Sequence, residues 1–375
     1  MKSLSIAGRA LLGDDFVEAV LEVAAGRIVA IRRGTNRRAD ISTDGWIAPG
    51  LIDIQINGAY GFDFTVDSTT IAKVAARLHA TGVTAFLPTI ITSPLETYPR
   101  FLRDVERAAQ DARGAQVLGA HLEGPYLSPQ RVGAHSPDHL RAPNCAELEL
   151  WAGSPLVRVA TLAPELPGAL EMTRALRARG VIVSAGHSDA NYAQALAGFD
   201  AGITWGTHLF SAMPPFAHRA PGLVGALLSS EVPVGLIADG VHIHPAAIKT
   251  VFRAKGARGI TLVTDAMMAM GMGPGRYTLG DRQVMVDSTV ARLNAETLAG
   301  SILQMDTALR NMIEYTGCSP AEAVTMASAT PARLLGLETK GRLETGCDAD
   351  LVIFDRSLRV EMTIARGEII YQGQK

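Results

Sequence analysis

Eight short apolar runs, spaced along residues 51–266 and each closed by a polar or glycine-rich loop, limit the folds open to this chain more than any other feature. They are LIDIQING (51–58), GVTAFLPT (82–89), QVLGAHLEGP (116–125), VRVATLAPE (157–165), GVIVSAGHS (180–188), GITWGTHLF (202–210), VPVGLIADG (232–240) and GITLVTDA (259–266). Nearly continuous, β-branched apolar character is what strands buried on both faces require. Helical patterns over 69–81, 95–113, 167–179, 189–198 and 245–255 lie between them. The last has proline near its start and glycine just past its end. This rhythm fits an α/β protein of the (β/α)8 TIM-barrel type, for which about 250 residues is usual. A doubly wound open sheet is the rival, but no GxGxxG turn follows the first run. The barrel is expected over 49–334.

The ends read differently. VLEVAAGRIVAI near the start, and GCDADLVIFD with VEMTIARGEIIYQG near the finish, are short β patterns separated by turn residues. They predict one small β-sandwich assembled from both termini, residues 1–48 and 335–375. Before it, SPAEAV predicts a helix with Ser319 as N-cap, Pro320 in first position and Glu322 completing a capping box.

Composition narrows the partners. A 375-residue chain with 47 % hydrophobic and 19 % charged residues can bury a large core. Its formal charge of −2 supplies no basic footprint for nucleic acid and no polybasic patch for a membrane. Cys145, Cys318 and Cys347 are far apart and form no CxxC pair, which suits a reducing cytosol. Asp14 and Asp15 interrupt the N-terminal stretch where a signal peptide needs an apolar run, and no uninterrupted apolar stretch spans a bilayer. A cytoplasmic protein is the expectation.

In a barrel, side chains at the C-terminal ends of strands converge on one face. Those ends carry Gln55 and Asn57, His121 and Glu123, His187, His208, Asp239 with nearby His242, and Asp265. Glu123 in GAHLEGP sits within an apolar strand, where an unpaired carboxylate costs too much to bury. A metal shared with His187 and His208 is the simplest partner, and Glu–His–His plus water is an open catalytic arrangement. Asp265 in LVTDA is the acid–base group this geometry calls for. His242 is placed to polarise a carbonyl, with His244 as the alternative. The residue types suit zinc first, with iron, manganese or cobalt as alternatives.

HLEGPYL, GAHSP, SAGHSDA, THLFSAMPPFAHRAPGLVGA, ADGVHIHP, LVTDA and LAGS together resemble the amidohydrolase superfamily, and within it the N-acetylglucosamine-6-phosphate deacetylases. The resemblance covers nearly the whole chain. It implies a barrel with a small terminal β-sandwich, one divalent metal per subunit on Glu123, His187 and His208, and a catalytic aspartate, Asp265. It also implies that His242 contacts the acetyl carbonyl and that His135 lies on the substrate side. Ser211, Ala212 and Met213 would border the phosphate, and Arg219 would reach it across a homodimer interface. The expected activity is hydrolysis of N-acetyl-D-glucosamine 6-phosphate to D-glucosamine 6-phosphate and acetate.

Two features depart from the family pattern. Many superfamily members carry two histidines where this chain has Gln55 and Asn57, which marks these as vestigial second-metal positions left free to bond water or neighbouring ligands. Ser211 stands where many relatives have asparagine, which opens N-acetylgalactosamine 6-phosphate as an alternative substrate. The methionines of MMAMGMG (267–273) read as apolar packing, with a lid over the sugar as the alternative. A catalytically silent barrel would be expected to lack ligands or Asp265. An aldolase or isomerase would be expected to use a strand-end lysine or an enediol base, and none of these strand ends carries a lysine.

Overall fold

The computed structural model describes residues 3–34, 38–110 and 113–373. The eight apolar runs contribute eight parallel strands: Leu51–Ile56, Val83–Ile90, Ala120–Glu123, Val157–Leu162, Ile182–Ala185, Ile203–Gly206, Val234–Leu236 and Ile260–Leu262. They are barrel strands 1 to 8 in that order, each hydrogen-bonded to its neighbours in sequence. The two ends of the sheet meet through a parallel bridge between Ile56 and Ala266 and a 2.8 Å bond from the Asp265 N–H to the Gln55 carbonyl. The result is a nearly closed (β/α)8-like barrel.

Ile54, Phe86, Leu122, Val159, Val183, Trp205, Leu236 and Leu262 are buried within it. Each large apolar side chain removed from water is worth about 1.5–3 kcal/mol. That burial holds the strand ends, and hence the site, in place.

The expected helices are found at Ile71–Leu78, Thr97–Gln110, Ala169–Ala178, Tyr192–Ala201 and Pro245–Lys255. The second was expected to run to residue 113; residues 111 and 112 lie outside the described residues. Asn191 and Gln194 form a capping box at the start of the fourth, and Ser319 and Glu322 form another at Pro320–Ala327.

Both termini build a separate seven-stranded mixed sheet, in the order Glu368–Gln372, Val360–Ala365, Leu351–Phe354, Ile41–Pro49, Leu4–Leu12, Asp15–Ala24, Arg27–Arg33. The two ends of the chain join where Ile41–Pro49 pairs antiparallel with Leu351–Phe354. Ile6, Leu21, Ile28, Ile47, Leu351 and Ile353 give this sheet a core of its own. Gly50 connects it to the barrel. An added Cβ there would lie 2.1 Å from Thr84 Oγ1, so only glycine fits the approach.

A three-stranded sheet beside the barrel mouth was not anticipated. After strand 8, Gly275–Leu279, Arg282–Val286 and Ala291–Arg292 form a three-stranded antiparallel sheet. Its Leu279, Val284 and Val286 pack with Ile91, Ala134 and Met267 over the mouth of the barrel.

Candidate active site

The strand-end residues converge on a cavity of about 460 Å³ lined by Asn57, Glu123, His135, His187, His208, Ser211, Ala212, His242 and Asp265, among others. Glu123 Oε1 lies 3.2 Å from His187 Nε2 and 3.0 Å from His208 Nε2, and the two Nε2 atoms are 3.1 Å apart. His187 Nδ1 donates to the Arg131 carbonyl at 3.0 Å, which leaves the Nε2 lone pair of a neutral ring facing inward. His208 Nδ1 is buried without a partner.

Two imidazole nitrogens facing each other and one carboxylate oxygen suit a shared cation better than any hydrogen-bonded pairing. Their separations approach the edge of about 3.3 Å expected between ligands of a tetrahedral zinc ion. Glu123 and His187, with His208 or with His135, form a compact Glu–His–His group positioned to coordinate a single divalent metal ion.

His135 stands beside the cluster, and its ring nitrogen, a Glu123 oxygen and a His187 nitrogen lie within 4.8 Å of one another. The Thr92 backbone N–H donates to His135 Nδ1 at 3.1 Å, so a neutral ring carries its hydrogen on Nε2. Burial, and then the neighbouring His187, hold the ring well below its ordinary pKa. His135 therefore offers a hydrogen-bond donor, whereas His187 turns a lone pair toward the cluster.

Asp265 is buried, and its Oδ1 accepts from Asn57 Nδ2 at 2.7 Å and from Gln55 Nε2 at 3.3 Å. Gln55 Nε2 also donates to Glu123 Oε1 at 3.1 Å. The amides of Gln55 and Asn57 thus bond the neighbouring carboxylates. Burial, followed by the nearby Glu123 charge, pushes the Asp265 carboxyl up to about 6. Behind it, Asp53 accepts the Thr264 hydroxyl at 2.5 Å, and burial pushes Asp53 up to about 7. His187, His208 and Asp265 all have positive φ, at 48°, 23° and 47°. Such backbone strain persists where the surroundings over-determine it.

His242 Nδ1 donates to Asp239 Oδ2 at 2.6 Å, while Asp239 Oδ1 accepts the Val241 and His242 N–H groups, both at 2.8 Å. Burial raises the Asp239 carboxyl, but the bonds and charge of His242 together with the Val241 N–H hold the group below its ordinary value. His244 is accounted for elsewhere, since its ring nitrogen accepts the Ala246 N–H and caps the helix Pro245–Lys255.

The family model for the amidohydrolase family matches residues 46–370. The chain belongs to this family. It is closely related to N-acetylglucosamine-6-phosphate deacetylases: the Bos taurus protein is 46 % identical over 345 residues, 88 % of this chain and 84 % of that one. The N-acetylgalactosamine-6-phosphate deacetylase of Escherichia coli O157:H7 is 40 % identical over 359 residues, 93 % of this chain and 94 % of that one. Among solved structures, the N-acetylglucosamine-6-phosphate deacetylase of Thermotoga maritima superposes with a TM-score of 0.90 at 35 % identity, covering 100 % of this chain and 99 % of that one. An aspartate-to-alanine mutant of the Mycobacterium smegmatis enzyme, in complex with N-acetyl-D-glucosamine-6-phosphate, superposes at 0.93 with 34 % identity over 99 % of this chain and 100 % of that one.

This amidohydrolase gathers most of the residues expected at its site, but two stand apart. Met213 is buried and does not line the cavity, and Arg219 is exposed outside it. Leu279, Glu296, Thr297, Leu298 and Gly300 line the cavity without having been expected there. The LAGS motif and the alternating RYTLGDRQVMV pattern with its Gly–Asp turn were the available signals.

Proposed function

We propose that the protein removes the acetyl group of N-acetyl-D-glucosamine 6-phosphate, giving D-glucosamine 6-phosphate and acetate, in amino-sugar catabolism in the cytoplasm. The observation that carries this reading is the buried Asp265 carboxylate sharing one cavity with the Glu–His–His cluster, in a chain so close to deacetylases of this substrate.

Glu123, His187 and His208 would hold one divalent ion, zinc first among zinc, iron, manganese and cobalt, supplying Lewis acidity to the amide carbonyl and the attacking water. Asp265 accepts the proton of that water and returns it to the departing nitrogen. Its Oδ1 is occupied by Asn57 and Gln55, so Oδ2 carries the proton. His242, fixed through Nδ1 by Asp239, turns Nε2 toward the substrate carbonyl and, when protonated, stabilises the oxyanion. His135 offers its Nε2–H to the sugar.

Ser211 and Ala212 border the cavity where a phosphate would sit, and Met213, next in the chain, is buried outside the lining. The lining cation Arg131 is paired with Asp189 at 2.7 Å. Arg219 is exposed beyond the cavity, which supports its reaching the phosphate of a second copy in a homodimer. Phosphate binding then aligns the distant amide for attack.

Asp265→Asn is expected to abolish acetate release while the purified protein keeps its metal; retained turnover overturns the mechanism. Ser211 and the similarity to the Escherichia coli O157:H7 enzyme support N-acetylgalactosamine 6-phosphate as a second reading. Acetate release from each epimer decides between the two substrates.

A further inference from the structure

Beneath the Glu–His–His cluster, four polar side chains form one continuous row across the barrel. His121 Nδ1 lies 3.1 Å from the Ile54 carbonyl, and His121 Nε2 lies 2.8 Å from Thr161 Oγ1. Thr161 Oγ1 is 2.8 Å from Thr207 Oγ1, which is 2.5 Å from Ser184 Oγ. His121, Thr161, Ser184 and Thr207 are each 0 % exposed. The row joins barrel strands 1, 3, 4 and 5 and the residue that follows strand 6.

Its hydrogen bonds run in one direction. The Ile54 carbonyl can only accept, so His121 Nδ1 carries a hydrogen. The buried ring bonds a carbonyl and a hydroxyl, with no bonded carboxylate to offset a charge, so it is neutral and Nε2 accepts. Thr161 therefore donates to His121, Thr207 to Thr161, and Ser184 to Thr207. Every hydroxyl hydrogen in the row then has an acceptor.

The row adjoins each arm of the cluster, through the chain or through close packing. Glu123 is the next residue on the same face of strand 3 as His121. His208 directly follows Thr207 in the chain. His187 follows Gly186, where an added Cβ would lie 2.7 Å from Thr207 Cβ and 2.9 Å from Thr161 Cγ2. The backbone leading to His187 therefore rests on the row itself.

We propose that His121 is a positioning residue, anchoring an oriented row through Thr161, Thr207 and Ser184 that holds Glu123, His187 and His208 at their point of convergence. This inference rests on reading those three residues as the ion's ligands.

Thr161→Val removes one hydroxyl from the middle of the row, and Thr161→Ser retains it. Zinc affinity of the folded protein, measured by competition with a chelator, is expected to fall about 10–100-fold in the first and to stay within about threefold in the second. Melting temperature is followed alongside. A purely structural role would lower it while leaving zinc affinity unchanged, and that result overturns the proposal, as does an equal loss of affinity in both variants. If Thr161→Val does not fold, Thr207→Val and Thr207→Ser are compared in the same way.

Nitrogen-15 spectra of the unsubstituted, histidine-labelled protein test the row without any activity readout. A neutral His121 with hydrogen on Nδ1 is expected; an Nε2–H or doubly protonated ring overturns it. Failure of the unsubstituted protein to bind zinc would refute the ligand reading, and the ring's protonation would still judge the row.

Discussion

Gln55 and Asn57 show how two side-chain amides can tie the carboxylates of one site together. Each turns its NH₂ toward a carboxylate and leaves its oxygen buried without a partner. A carboxylate only accepts, so this orientation is fixed by the bonding partners. The Asn57 bond lowers the Asp265 carboxyl against the burial that raises it to about 6. A base works as its carboxylate, so kcat is expected to fall as pH drops through the Asp265 pKa. A cation nearby favours the charged form further, placing this acid limb at or below about pH 6. Asn57→Ala removes a bond that lowers the pKa, so the limb moves to higher pH. A pH–rate profile whose limb stays put, or moves down, would refute the assignment. The sequence placed Gln55, Asn57 and Asp265 at strand ends that converge on one face of a barrel. It could not show which atom faces which, because that depends on chain segments about 200 residues apart.

At the scale of elements, periodicity located the barrel strands and the helix Pro245–Lys255, because burial on both faces and terminal caps leave local marks. The sheet over the barrel mouth left a weaker mark, one alternating hairpin inside a segment that an eight-repeat pattern treats as a loop. It also bears on the two readings of the methionine segment. The Tyr60 and Gly61 N–H groups donate to the Met270 and Met268 carbonyls at 2.8 and 2.7 Å, and Thr278 Oγ1 donates to Met268 Sδ at 3.2 Å. Met267 and Met270 are buried at 0 % and 1 %, while Met272 is 48 % exposed. This is a packed strap joined to the first βα loop, which supports the packing reading. Met270→Ala is expected to cost about 2–5 kcal/mol of stability, and Met272→Ala less than about 0.5 kcal/mol. Chemical denaturation measures both, and equal losses would contradict the packing account.

At the scale of the whole molecule, Arg131, which lines the cavity, is paired with Asp189, so the proposed phosphate reading calls for a cation such as Arg219 from a second copy. Local sequence could suggest this only through family resemblance, because an interface between copies leaves no periodicity in a single chain. Arg219 in trans makes a prediction that the same residue acting in cis does not. Arg219→Ala and Asp265→Asn should each be nearly inactive alone, the first through a raised KM and the second through a lost kcat. In a mixed dimer, the Arg219→Ala subunit keeps its own Asp265 and receives the intact Arg219 of its partner, so one complete site forms. Random reassociation of equal amounts makes half of the dimers mixed, restoring about a quarter of wild-type activity in a twofold-symmetric assembly. Were Arg219 to serve its own subunit, neither site of the mixed dimer would be complete and mixing would restore nothing. Acetate release from mixed, denatured and refolded variants, set beside each variant refolded alone, separates the two arrangements.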